Sequence, residues 1–239
     1  MKLIFNADDY GLCRKVNEGI IDSHLNGVVS STTMMVAMPG ESDALLRLKQ
    51  APELSVGIHL RLTAGAPMSS NYPLVNENGL FLSYQQLMVT ITPEHEADIY
   101  KELRRQMEHF LSYDIELSHI DSHHHVHLHP VVREVVKQLS EEFGVPYRAQ
   151  PELKQYLFTD GFYDVTATLD WLTPNVRKWA LSYSVVEVMC HPGIADKELD
   201  SMSSYSTRRE HELEVLKSAE LRSLLTSNAI TLSNYSAVV

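Results

Sequence analysis

Aspartate and histidine dominate the chemistry this sequence can offer. Six of its twelve histidines fall in the run His119-Ile120-Asp121-Ser122-His123-His124-His125-Val126-His127-Leu128-His129. Three more acid or histidine positions follow apolar stretches: Asp8-Asp9 after Lys2–Ala7, His59 between Ile58 and Leu60, and His191 between Cys190 and Pro192. Imidazole nitrogens and carboxylate oxygens gathered in one cleft are the donors of a divalent-metal site. A catalytic ion takes about three protein donors and keeps a position for water. Two carboxylates held together can divide the work between metal ligand and general base.

Each candidate also has a plainer reading. Asp8-Asp9 is either a cap or turn pair before Gly11 or a pair of site carboxylates. Adjacent strand residues point to opposite faces, so both reach one site only if the strand ends there. His59 is either a satisfied structural histidine or a ligand. His123, nearest the preceding strand, is the ligand candidate of the run, with His125, His127 and His129 as supporting or surface groups. His191 is a general acid, a ligand or a cap on a loop carbonyl. Glu187 shares a strand face with His191 and either orients it or forms a buried ion pair. Arg148 is a substrate-binding candidate, a holder of a carboxylate such as Asp8, or a surface arginine. Trp171 and Trp179 offer stacking faces or core packing, and Cys13 and Cys190 read as inert packing.

The elements that must position these groups alternate strand with helix. Strands are predicted over Lys2–Ala7, Ser30–Ala37, Leu54–Leu62, Ile115–Ser122, Ser184–Cys190 and Ile230–Leu232. Helices are predicted over Val16–Leu25, Glu41–Gln50, Pro93–Ser112, Pro130–Phe143 and Thr207–Leu225. Residues 64–82 read as a long binding loop or lid, and 149–176 carry no clear pattern. The alternation predicts a parallel sheet with helices outside it: an α/β, TIM-barrel-like fold, a distorted (β/α) barrel in one domain over 1–239. In such folds the chemistry sits after the carboxyl ends of strands, where these acids and histidines fall.

Composition narrows the partners. A net charge of −11 over 239 residues argues against a nucleic-acid or polybasic membrane binder. No apolar run exceeds the five residues Met34–Met38, so no segment is expected to span a bilayer. Two cysteines and no secretory apolar core lead us to expect a cytoplasmic protein, and a homodimer on general grounds.

The segments Asn6-Ala7-Asp8-Asp9-Tyr10-Gly11, Val29-Ser30-Ser31-Thr32-Thr33, Gly57-Ile58-His59-Leu60, His119–His127, Glu187–Pro192 and Glu212–Leu216 together resemble the YdjC-like carbohydrate deacetylases, nearly end to end. The resemblance implies a distorted barrel related to NodB-type polysaccharide deacetylases. It also implies one divalent ion, usually magnesium, and hydrolysis of an acetyl group from an N-acetylated amino sugar. Carried over, His59 and His123 match the metal histidines, Asp9 the metal aspartate, Asp8 the base, and His191 the histidine opposite them. Ligand softness alone points to zinc or another transition metal. The chain departs from the pattern at Arg61 and through 150–180. Two rival readings are a metal-dependent amidohydrolase or phosphoesterase of another substrate class, and a non-catalytic sugar-binding protein.

Overall fold

The computed structural model describes residues 1–238. Strands and helices follow in the order β1 (Lys2–Tyr10), α1 (Arg14–Leu25), β2 (Ser31–Met34), α2 (Glu41–Leu48), β3 (Ser55–Leu60), α3 (Tyr84–Thr90), α4 (Glu96–Leu111), β4 (Ile120–Ser122), α5 (Pro130–Phe143), β5 (Tyr156–Thr159), α6 (Leu169–Trp179), β6 (Val185–Cys190), α7 (Lys197–Met202), α8 (Thr207–Lys217), α9 (Ala219–Ser227) and β7 (Thr231–Leu232). The strand pairs are parallel, in spatial order β4-β3-β2-β1-β6-β5. The short β7 pairs with Lys2 and Leu3 of β1. The parallel sheet flanked by helices is therefore the fold the alternation implied.

Side-chain alternation sorts β1 into two faces. Leu3, Phe5 and Ala7 join the main apolar core, whereas Ile4 packs with Val185, Tyr235 and Val238 in a small second cluster. Asn6 and Asp8 share the face of Ile4. Each fully buried aliphatic or aromatic side chain contributes roughly 1.5–3 kcal/mol, so the outer layer holds the sheet and frees the inner face for polar groups.

That inner face is concave. Tyr147 bridges to Ile120 on β4, and the next residue, Arg148, reaches Glu187 of β6 at 2.8 Å. In a flat sheet β4 and β6 would stand about 19 Å apart, four strand spacings, far beyond an arginine's reach. The sheet must curl into a partial barrel for this contact to form. Gly57 is needed inside it: a Cβ there would lie 2.5 Å from the His119 imidazole, which stacks on Tyr235 at 3.4 Å.

Several boundaries differ from the sequence reading. β1 runs past Ala7 to Tyr10, with its register against β2 shifting between Ala7 and Tyr10. β4 begins at Ile120 rather than Ile115 and ends at Ser122 as expected, and the His123–Leu128 segment after it is a tight, kinked turn. The predicted 207–225 helix is two helices. Ser218 ends α8, and its hydroxyl accepts from Leu221 N–H to start α9. The patternless 149–176 region contains β5 and the start of α6, and α3 follows the 64–82 loop. Among the described residues no helix is long and apolar enough to cross a membrane.

Candidate active site

Asp8 and Asp9 reach the same cleft, but not because the strand ends. Asp9 takes a left-handed backbone (φ 71°) at the register shift, and this bulge turns its side chain to the face Asp8 already occupies. The conformation is uncommon for a non-glycine residue, although Asp is among those that tolerate it best. His124 and His125 are also left-handed, at φ 54° and 51°, and bring His123, His124 and His125 to the cleft in succession. The turn is closed by Ser122, whose hydroxyl meets His127 Nδ1 at 2.6 Å and accepts from the His127 N–H.

The resulting cleft has a volume of about 630 Å³ and is lined by Asp8, Asp9, His59, His123, His191 and Arg209, among others. Asp9 Oδ1 lies 2.9 Å from His123 Nδ1 and 3.3 Å from His59 Nε2. One donor atom from each of these three residues falls within 4.8 Å of the other two, a spacing a single ion can bridge. A second set of similar spacing, Asp8, His59 and Asp121, is blocked as a cation site. Arg148 already places a guanidinium nitrogen 2.6 Å from Asp8 and 2.9 Å from Asp121.

Arg148, the substrate-binding candidate, lies behind the cleft and is not among its lining residues. It is fully buried, forks onto both oxygens of Asp8 at 2.6 and 2.7 Å, and donates from Nε to Glu187. The sequence alternative, that it holds Asp8, is what the fold builds. Glu187 is likewise not the partner of His191; it accepts from Arg148 and from the hydroxyls of Tyr156 and Tyr235. Glu212 on α8 holds the backbone of His191 instead, accepting from its main-chain N–H and from the Tyr205 hydroxyl. The loop carrying His191 is pinned by backbone packing. A Cβ on Gly19 would lie 2.5 Å from Gly193 Cα, so only glycine lets α1 approach so closely.

The electrostatics follow from burial and neighbours. Burial opposes ionisation of Asp8, but the Arg148 guanidinium outweighs it and holds the carboxyl well below its ordinary range. Burial also opposes the charged form of Asp9, and Arg209 and His123 outweigh it in the same direction. His59 is pushed up to about 10 despite burial, because Asp121, Asp9 and Asp8 surround it with negative charge. His191 goes the other way: burial pushes it down to about 3 against the pull of Asp8. Its Nδ1 is buried without a partner. A resting neutral imidazole beside an ionised carboxylate is an arrangement suited to proton transfer.

Sequence reasoning missed Arg209 and Tyr205, and gave Glu212 no role although it opens one of the matched segments. A signal existed, since Arg209, Glu212, Leu213 and Leu216 form the buried face of α8. Two charges at i and i+3 on an apolar stripe are costly without partners and so point to an interior network. Trp171 and Trp179 take the packing alternative, edge to face on each other and away from the cleft lining, and the cleft aromatics are Tyr84, Tyr163 and Tyr205. Tyr163 stacks on Tyr205 at 4.3 Å with His191 edge-on to both.

Comparison with known proteins points the same way. The family described as YdjC-like protein matches residues 2–227. The chain is 46% identical to a carbohydrate deacetylase of Vibrio parahaemolyticus, over 100% of this chain and 97% of that protein. It is 40% identical to a carbohydrate deacetylase of Brevibacillus brevis, covering 99% of each. A crystal structure of an Enterococcus faecalis protein, provisionally assigned to cellobiose-phosphate cleavage, superimposes with a TM-score of 0.91 at 30% identity, covering 100% of this chain and 98% of that one. The lactam utilization protein of Thermus thermophilus shares the fold at a TM-score of 0.51 and 14% identity, covering 97% of this chain and 99% of that one.

Proposed function

The chain belongs to the YdjC-like family, and from that premise we propose that it removes the acetyl group from N-acetylated amino sugars, such as chitooligosaccharides, with one divalent ion. The observation that carries this reading is the convergence of Asp9, His59 and His123 in one cleft with Asp8 and His191. Asp9, His59 and His123 would hold the ion. One carboxylate and two imidazoles suit zinc or another imidazole-binding ion, with magnesium the alternative that the family resemblance implies. Such an ion, when bound, acidifies water and polarises an acyl carbonyl.

The chain's own groups supply the rest. Arg148 keeps Asp8 ionised and fixed, so Asp8 accepts the proton of the attacking water. His191, neutral at rest, relays the proton that Asp8 has taken from water to the departing nitrogen, so Asp8 returns to its ionised form and His191 to its neutral one. Acetate and a free amino sugar result. Tyr84 and Tyr163, each 40% exposed, offer faces against which a sugar ring packs.

The test is acetate release from a panel of N-acetylated mono- and oligosaccharides. Release is expected to vanish with chelator and return when Zn²⁺, Mn²⁺ or Mg²⁺ is restored. A folded, metal-loaded protein that releases acetate from none of them would sink the reading.

A further inference from the structure

Arg209 touches the candidate metal carboxylate from a distant part of the chain. It lies on α8 and is 2% exposed, with its Nη2 2.6 Å from Asp9 Oδ2. Its Nε donates to the Tyr205 carbonyl at 2.8 Å, and its Nη1 is buried with no partner. Its aliphatic stem is wedged beneath Gly193, where a Cβ would come within 3.1 Å of Arg209 Cδ. The guanidinium is therefore held in place independently of Asp9. The two oxygens of Asp9 are divided: Oδ2 is committed to Arg209, and Oδ1 alone faces His59 and His123.

We propose that Arg209 is a positioning residue that sets the cation preference of this site by making Asp9 a one-oxygen donor. The inference rests on the metal reading above. Oxygen-preferring ions such as Ca²⁺ gain from two-oxygen carboxylate contacts and from full carboxylate charge. Arg209 removes one oxygen and offsets the charge, leaving imidazole nitrogen as the majority of the donor set. Zinc and similar ions, which bind imidazole well, lose less from this restriction than Ca²⁺ or Mg²⁺. The orphaned Nη1 fits the same role: burying an unpaired guanidinium nitrogen is costly, and that cost is tolerated where the remaining donors fix a functional group.

Calorimetric titration of the full chain with Zn²⁺ alone and with Ca²⁺ alone tests this, with folding checked by circular dichroism. The wild type is expected to prefer Zn²⁺. Arg209→Leu frees Asp9 Oδ2 and should move the Zn²⁺-to-Ca²⁺ affinity ratio about tenfold toward Ca²⁺, equivalent to about 1.4 kcal/mol. Arg209→Gln, too short to reach Oδ2 and uncharged, should shift it the same way, and it carries the test if the leucine variant does not fold. An unchanged ratio in a folded variant, or a parallel change for both ions, overturns the inference while leaving the metal reading intact. A wild type that binds neither ion overturns both.

Discussion

His59 Nδ1 lies 2.7 Å from Asp121 Oδ1, and the two residues are register partners on the neighbouring parallel strands β3 and β4. The pairing is thus a product of strand register. It turns the other ring nitrogen, Nε2, toward Asp9. Thr33, on β2, donates to the second Asp121 oxygen at 2.9 Å and keeps the carboxylate from rotating. A histidine ligand oriented by a carboxylate behind it is a recurring device of metal sites. Asp121→Ala should therefore weaken metal binding by about 10–100-fold without changing which residues touch the ion. Equilibrium dialysis with Zn²⁺ measures it, and wild-type affinity in the variant would show that Asp121 does not orient His59.

The two adjacent aspartates should separate cleanly. Asp8→Asn should retain the ion and lose turnover by about 10²–10⁴-fold, the range for loss of a general base. Asp9→Asn should weaken the ion's binding, because an amide oxygen carries no full charge to set against a cation. Metal titration beside steady-state kinetics assigns them, and the opposite pattern would exchange their roles.

Arg148 is the shared counter-charge of Asp8, Asp121 and Glu187, all of them buried. Arg148→Met would leave three interior carboxylates without it. A loss of about 3–5 kcal/mol is expected in urea unfolding, as for other broken buried ion pairs. A loss smaller than roughly 1 kcal/mol would mean that these carboxylates take up protons and do not need the arginine.

Glu212 gives the stability a pH dependence of unusual sign for an acid. Burial pushes its carboxyl from 4.5 up to about 7, against the donors His191 N–H and Tyr205 O–H. Between those values the folded chain binds a proton that the unfolded chain does not. Its contribution is therefore complete below 4.5 and is lost as pH rises through about 7. Glu212→Gln removes this slope, so the variant should gain on the wild type by roughly 1–3 kcal/mol between pH 5 and pH 8. Chemical unfolding of both proteins at the two pH values decides it; a constant difference would refute the assignment.

Chelation should abolish turnover without unfolding the chain. The carboxylate of Asp9 is paired with Arg209 and hydrogen-bonded by His123, so the fold does not depend on a cation there. Circular dichroism before and after chelator provides the check, and global unfolding would identify the ion as structural.

The amino-acid sequence by itself determined the alternation of strand and helix and the positions of Asp8, Asp9, His59, His123 and His191 near strand ends. Both are local properties: apolar period marks the elements, and a polar group closing an apolar strand is visible without knowing its neighbours. What surrounds those groups was decided by tertiary structure. Arg209 lies 200 positions from Asp9, and Arg148 lies 140 positions from Asp8. The Arg148 contacts exist because the sheet curls far enough to bring β4 and β6 within one side chain of each other, and the Arg209 contact because α8 packs against the Gly193 loop; no local pattern encodes either. The bulge at Asp9 is of the same kind. A left-handed aspartate costs energy locally and persists only where Arg209, His59 and His123 together hold its carboxylate, so the three-dimensional contacts select the backbone conformation rather than the reverse.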